Sequence, residues 1–157
     1  MKILVFSDTH GRCGDMLEAV DKYDPALAIH LGDNISDGQL LSEVCAGLPV
    51  KQVCGNCDFP RDAVPNELLF EFGGAKLFIC HGHTYGVKGS VSALLRRAKE
   101  LGADAAFFGH THIPLVEQRD GIWIANPGTA SGCRTGVKSC LIADIQDGQI
   151  QLHGKLL

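Results

Sequence analysis

The chain alternates short apolar runs with polar, glycine-rich punctuation. Residues 2–7, 26–31, 50–54 and 105–108 are apolar without a 3.6-residue period, which suits strands buried on both faces. Between the first three, residues 15–23 carry Met16, Leu17 and Val20 on one helical face, and residues 38–46 form a second helical candidate. That alternation predicts parallel strands joined by helical crossovers. Further along the pattern changes. Residues 68–72 and 76–80 flank Gly73-Gly74 and predict a hairpin. Residues 90–101 place Val91, Leu94, Leu95 and Ala98 at helical spacing and stop at Gly102. Two more hairpins are predicted over residues 115–125, around Asp120-Gly121, and 139–152, around Asp147-Gly148. No repeat, low-complexity tract or linker interrupts the series, so residues 1–157 are expected to form a single layered domain.

Composition narrows the function classes. At 157 residues the chain has room for one core. No apolar run approaches the roughly 20 residues of a membrane span, and Asp8 and His10 fall where a signal peptide would stay apolar. A cytoplasmic location is expected. The formal charge of −4 argues against a strong nucleic-acid-binding surface, and the densest basic stretch, Arg96-Arg97-Ala98-Lys99, reads as a solvated helix face. Seven cysteines leave at least one unpaired in a monomer, and without a secretory signal they are expected to be reduced.

The candidate chemistry sits where the apolar runs end. Asp8 and His10 follow the first run, Asp33 the second, Asn56 the third, His81 and His83 residues 76–80, and His110 and His112 residues 105–108. Ligands of open α/β sheets bind outside the carboxyl ends of the strands, so these residues are expected to face one crevice. Asp-x-His and His-x-His on extended backbone would each project two side chains to one side, with Thr9 and Thr111 pointing away. Carboxylate and amide oxygens mixed with imidazole nitrogens suit Mn²⁺, Fe²⁺, Zn²⁺ or Mg²⁺. The candidates are too many for one tetrahedral ion, and two ions sharing a ligand fit the count better.

The series Asp8-Thr9-His10-Gly11, Gly32-Asp33-Asn34, Gly55-Asn56-Cys57-Asp58, His81-Gly82-His83 and Gly109-His110-Thr111-His112, closed by Asn126-Pro127-Gly128-Thr129, resembles the calcineurin-like metallophosphoesterase superfamily. Within it, the chain is similar to the small, cap-less bacterial and archaeal phosphodiesterases, in the family's motif order from residue 1 to about 145. The resemblance implies an α/β fold, a four-layer αββα sandwich of two facing mixed sheets. It implies that Asp8, His10 and His112 hold one divalent ion, that Asn56, His81 and His110 hold the other, and that Asp33 bridges them, Mn²⁺ being the first expectation and Ni²⁺ a further one. The reaction it implies is phosphodiester hydrolysis by a metal-bridging hydroxide, with Asn56 orienting the phosphate and His83 as proton donor or phosphate contact, or else as a hydrogen-bond partner of a ligand.

One departure matters. Many members of the superfamily carry histidine where this chain has Cys57, and a thiol is a poorer acid for the leaving group than imidazolium. A small phosphodiester is therefore the expected substrate, with a phosphomonoester as the alternative. A retromer subunit related to the family has lost a ligand histidine and serves as a scaffold, whereas Asp8-Thr9-His10 is complete here. Cys54-x-x-Cys57 lacks the second pair of a zinc ribbon, and residues 132–139 fail as a phosphate loop because Val137 stands where glycine is needed. Arg134 reads as a turn or surface residue, and His30 and His153 are not ligand candidates. An apolar sheet edge would make a homodimer plausible.

Overall fold

The computed structural model describes residues 1–59 and 64–157 of the chain. Among the described residues ten strands form two five-stranded sheets. The first contains β1 (Lys2–Phe6), β2 (Leu27–His30) and β3 (Val50–Gln52), which run parallel, with β9 (Ser139–Gln146) and β10 (Gln149–Leu156) added antiparallel, in the order β10-β9-β1-β2-β3. The second has the order β4-β5-β6-β8-β7. Here β5 (Ala75–Cys80), β6 (Ala105–Phe107) and β8 (Ile122–Asn126) are parallel, and β4 (Glu67–Phe72) and β7 (Leu115–Arg119) close the edges as hairpin partners.

Side-chain alternation explains why the strands read as continuous apolar runs. Ile3 and Val5 of β1, Leu77 and Ile79 of β5, and Ala105 and Phe107 of β6 meet between the sheets, with Leu141, Ala143 and Ile145 of β9. The opposite faces are equally apolar. Leu4 and Phe6 pack with Met16 of α1 (Gly14–Tyr23) and Leu41 of α2 (Ile35–Val44), while Phe78 and Ala106 pack with Leu94 and Ala98 of α3 (Ser92–Leu101). The result is four layers, helix, sheet, sheet and helix, as expected.

The departures are local. Helix α2 begins at Ile35, not at residue 38, because its first turn is capped from elsewhere in the chain: the Asp58 carboxylate accepts the N–H groups of Asn34 and Ile35. Strand β3 ends at Gln52, since Cys54 N–H turns away to the Pro65 carbonyl. A 3₁₀ turn at His83–Tyr85 lies between β5 and α3, and β10 runs to Leu156, four residues past the predicted end of its hairpin. The basic stretch on α3 answers charges of its own chain: Arg97 pairs with Glu67 at 2.8 Å and Lys99 pairs with Asp120. No disulfide joins the cysteines. Among the described residues no helix is long and apolar enough to cross a membrane.

Candidate metal centre

All the parallel strands, β1 to β3 in one sheet and β5, β6 and β8 in the other, send their carboxyl ends to the same edge of the sandwich. The loops after them bring the predicted residues together. His112 Nε2 lies 3.1 Å from Asp8 Oδ1, and the His10 and His112 rings are 5.5 Å apart. On the other side, His81 Nε2 lies 3.4 Å from Asp33 Oδ1 and 3.2 Å from Asn56 Oδ1, with the His110 ring 5.1 Å from that of His81. Ligand atoms of Asp8, Asp33 and His81 all lie within 4.8 Å of one another, so Asp33 is within reach of both groups. His83 is half-buried at the rim, its ring 5.5 Å from His81 and 6.1 Å from His110. A groove lined by His10, Asp33, Gln39, Cys57 and Phe59 opens beside the cluster.

The backbone reaches this arrangement differently from the extended pattern expected. Asp8 and His10 have φ of 55° and 48°, His110 and His112 of 66° and 63°, and Asp33 of 57°, all in the left-handed region. The chain has just left a strand and must turn sharply for residues two apart to converge, at a cost of roughly 1–2 kcal/mol for each L-residue. Buried hydrogen bonds hold the turns. Thr129 and Ser131 hydroxyls donate to the Asp8 carbonyl at 2.9 and 2.8 Å, and Asn126 Nδ2 donates to the Gly109 carbonyl at 2.8 Å. Thr9 does point away, to His30 Nε2 at 3.0 Å, and Thr111 accepts from Asn126. His30 is therefore a buried support and no member of the cluster.

Asp58, to which the sequence reading gave no role, ties two of the loops together. Its Oδ2 accepts from Asp33 N at 2.9 Å and Gly55 N at 2.7 Å, and its Oδ1 from Asn34 N at 2.7 Å and Ile35 N at 2.9 Å. The loops touch so closely that a Cβ on Gly32, whose φ is 98°, would overlap the backbone of Gly55.

The donors fit a cation. Backbone carbonyls only accept, so His81 Nδ1 donates to the Leu31 carbonyl at 2.7 Å and His112 Nδ1 to the Cys133 carbonyl at 2.9 Å, which turns each Nε2 into the cluster. Asp8 is fully buried. Its Oδ2 accepts from Ser7 and from His110 N–H, but Oδ1 has no hydrogen-bond partner, and His112 is near it without being aligned to donate. A buried carboxylate oxygen facing an imidazole nitrogen is costly unless a proton or a metal ion lies between them.

The charges agree. Burial works against ionisation of Asp33, but the hydrogen bond and charge of His81 and the Cys57 N–H outweigh it and hold the carboxyl well below its usual range. His81 moves the other way: burial lowers it, and Asp33 and Asp8 more than compensate. Burial and the neighbouring His81 push His110 down to about 4, so its ring is neutral at pH 7, as a ligand must be. Burial and the Asp33 carboxylate push the Cys57 thiol up, which keeps it protonated.

Three comparisons place this geometry among known proteins. The calcineurin-like phosphoesterase superfamily domain matches residues 1–148. The probable metallophosphoesterase YsnB of Bacillus subtilis is 39% identical over 132 residues, covering 82% of this chain and 75% of that protein. Phosphodiesterase YfcE of Escherichia coli is 31% identical over 156 residues, covering 83% and 80%. Among solved structures, an archaeal phosphodiesterase superposes with a TM-score of 0.82 at 24% identity, covering 100% of both chains. The zinc-bound Vps29 of Entamoeba histolytica superposes with a TM-score of 0.80 at 20% identity, covering 99% of each chain. At such identities the two structures speak for the fold alone.

Proposed function

The chain belongs to the calcineurin-like phosphoesterase superfamily, and on that premise we propose that its crevice holds two divalent cations and hydrolyses phosphodiester bonds. Asp8, His10 and His112 hold one ion, Asn56, His81 and His110 hold the other, and Asp33 lies between them. The observation that carries this reading is the unpartnered Oδ1 of the fully buried Asp8, set against the inward-facing nitrogen of His112. When bound, the ions supply Lewis acidity, lowering the pKa of water toward roughly 7 and offsetting phosphate charge.

The chain's own residues do the rest. Charge arithmetic gives two dications (+4) against Asp8 and Asp33 (−2), so a phosphate is attracted locally although the whole chain carries −4. Asn56 uses its carbonyl toward the ions, and its amide, which donates to Cys57 Sγ at 3.3 Å, turns to a phosphate oxygen when substrate binds. His83, at the rim, contacts the phosphate or returns a proton to the leaving oxygen. Cys57 occupies the neighbouring position with a thiol, a poorer acid toward an alkoxide leaving group than the imidazolium many relatives place there. That favours a diester, and the name of the relative from Escherichia coli points the same way. Manganese is the first choice for the Asn56–His81–His110 position, whose donors are oxygen and nitrogen.

Hydrolysis of bis-p-nitrophenyl phosphate and of p-nitrophenyl phosphate, each with Mn²⁺ or Ni²⁺, tests the reading in the wild type, His10→Ala and Cys57→His. The diester is expected to turn over faster in the wild type, His10→Ala to lose both activity and metal, and Cys57→His to gain on the monoester. A faster monoester in the wild type contradicts the role given to Cys57. No turnover with any divalent metal, together with unchanged metal content in His10→Ala, contradicts the enzyme and returns the chain to the scaffold alternative.

A further inference from the structure

The ligand set carried over from the family leaves out a side chain that the fold delivers to the same place. Ligand atoms of His10, His112 and Cys133 all lie within 4.8 Å of one another. Cys133 is exposed and forms no disulfide, and it lies in residues 132–139, the segment that fails as a phosphate loop. We propose that Cys133 is a thiolate ligand of the ion held by Asp8, His10 and His112, making that position thiophilic and selective for Zn²⁺, Co²⁺ or Cd²⁺ over Mn²⁺ and Mg²⁺. The inference rests on the two-ion reading above and adds a donor to one of its positions.

Two further observations support a built position. The loop is tied to the centre by its backbone: His112 Nδ1 donates to the Cys133 carbonyl at 2.9 Å, and Cys133 N–H donates to Ser131 Oγ at 3.2 Å, whose own hydroxyl donates to the Asp8 carbonyl at 2.8 Å. The same bonds that aim His112 Nε2 inward therefore fix Cys133 beside it. Second, the buried Asp8 Oδ1 faces this group with no hydrogen-bond partner. With Zn–S about 2.3 Å and Zn–N about 2.0–2.1 Å, a sulfur and a nitrogen ligand of one ion stand roughly 3–3.6 Å apart, against the 4.8 Å within which the three ligand atoms lie. Binding converts the thiol to a thiolate with release of its proton, so one sulfur–metal bond replaces one S–H bond. Oxygen, nitrogen and sulfur together form a softer donor set than the neighbouring position offers.

Cobalt(II) titration of the purified protein, followed by absorption, reads both levels. The wild type is expected to show ligand-field bands, weakened in His10→Ala, which keeps the Asn56–His81–His110 position, together with a near-ultraviolet sulfur-to-cobalt charge-transfer band. That band should vanish in Cys133→Ser and persist in Cys57→Ser. In Cys133→Ser, Zn²⁺ affinity should fall by about tenfold or more while Mn²⁺ affinity changes much less. Ligand-field bands without the charge-transfer band, or a charge-transfer band that survives Cys133→Ser, overturn this inference and leave the two-ion reading standing. No cobalt binding at all overturns both.

Discussion

Replacing Asp58 by alanine removes the acceptor for four backbone N–H groups at once, those of Asp33, Asn34, Ile35 and Gly55. Two of these donors, Asp33 N and Gly55 N, are buried, while Asn34 N and Ile35 N have some access to water once the carboxylate is gone. Leaving two buried donors unsatisfied costs about 1–3 kcal/mol each, and losing an anion from the start of α2 costs about 0.3–1 kcal/mol more. The sum centres on about 4.7 kcal/mol, a large part of the 5–15 kcal/mol that stabilises an ordinary domain. With a urea slope of about 2 kcal/mol per M, the unfolding midpoint should fall by about 2 M. Equilibrium urea unfolding of the metal-free wild type, Asp58→Ala and Asp58→Asn makes the measurement without involving catalysis. Asp58→Asn keeps one acceptor oxygen but sets an amide N–H against two donors, so it should recover little of the loss. A midpoint shift below about 0.5 M in Asp58→Ala would refute the reasoning, because the four bonds would then be worth no more than ordinary solvated ones.

Two other predictions concern the support of the site. His30 is buried without charge, and burial lowers it from 6.5 to about 4, against a partial pull from Asp37. Both states are neutral above pH 6.5. Between pH 6.5 and 4 only the unfolded chain takes up the proton, so this group withdraws up to about 3 kcal/mol of stability as the pH falls. The stability difference between wild type and His30→Asn should therefore shrink from pH 7 to pH 4.5; a difference independent of pH would contradict it. In Gly109→Ala, the added Cβ overlaps Ser7 Oγ and comes within 3.0 Å of Asp8 Oδ2. Overpacking of this kind costs about 1–3 kcal/mol, and metal affinity, measured by calorimetry, should fall with it because Asp8 has to move. Unchanged affinity would show that Asp8 is not held where the ion binds.

Strand positions and the identity of the clustered residues were legible because both rest on short-range pattern. Apolar faces on both sides of β1, β5 and β6 appear as unbroken runs, and polar residues at the ends of parallel strands have one common edge to occupy. What stayed hidden depends on partners distant in sequence. The start of α2 is set by Asp58, 23 residues beyond Ile35, and the only local hint is an aspartate closing the Gly55-Asn56-Cys57-Asp58 tetrad. His30 reads as one more strand residue, although its ring anchors Thr9 between two members of the cluster. Cys133 carries no signal at all, since it reaches His112 across 21 residues and only the return of the chain from β8 brings it there. The left-handed turns at Asp8, His10, Asp33, His110 and His112 escape a period-two reading because these residues lie just past the strand ends, where the chain turns sharply. Local strain at these positions and the buried hydrogen bonds that offset it are two sides of one arrangement.

The central claim is that two ions share Asp33. A crystal equilibrated with Zn²⁺ and recorded at an energy where zinc scatters anomalously tests it most directly. The account predicts two anomalous peaks about 3.5–4 Å apart, one against Asp8, His10 and His112, the other against Asn56, His81 and His110, with an Asp33 oxygen between them. A single peak, or two peaks not bridged by Asp33, would contradict it.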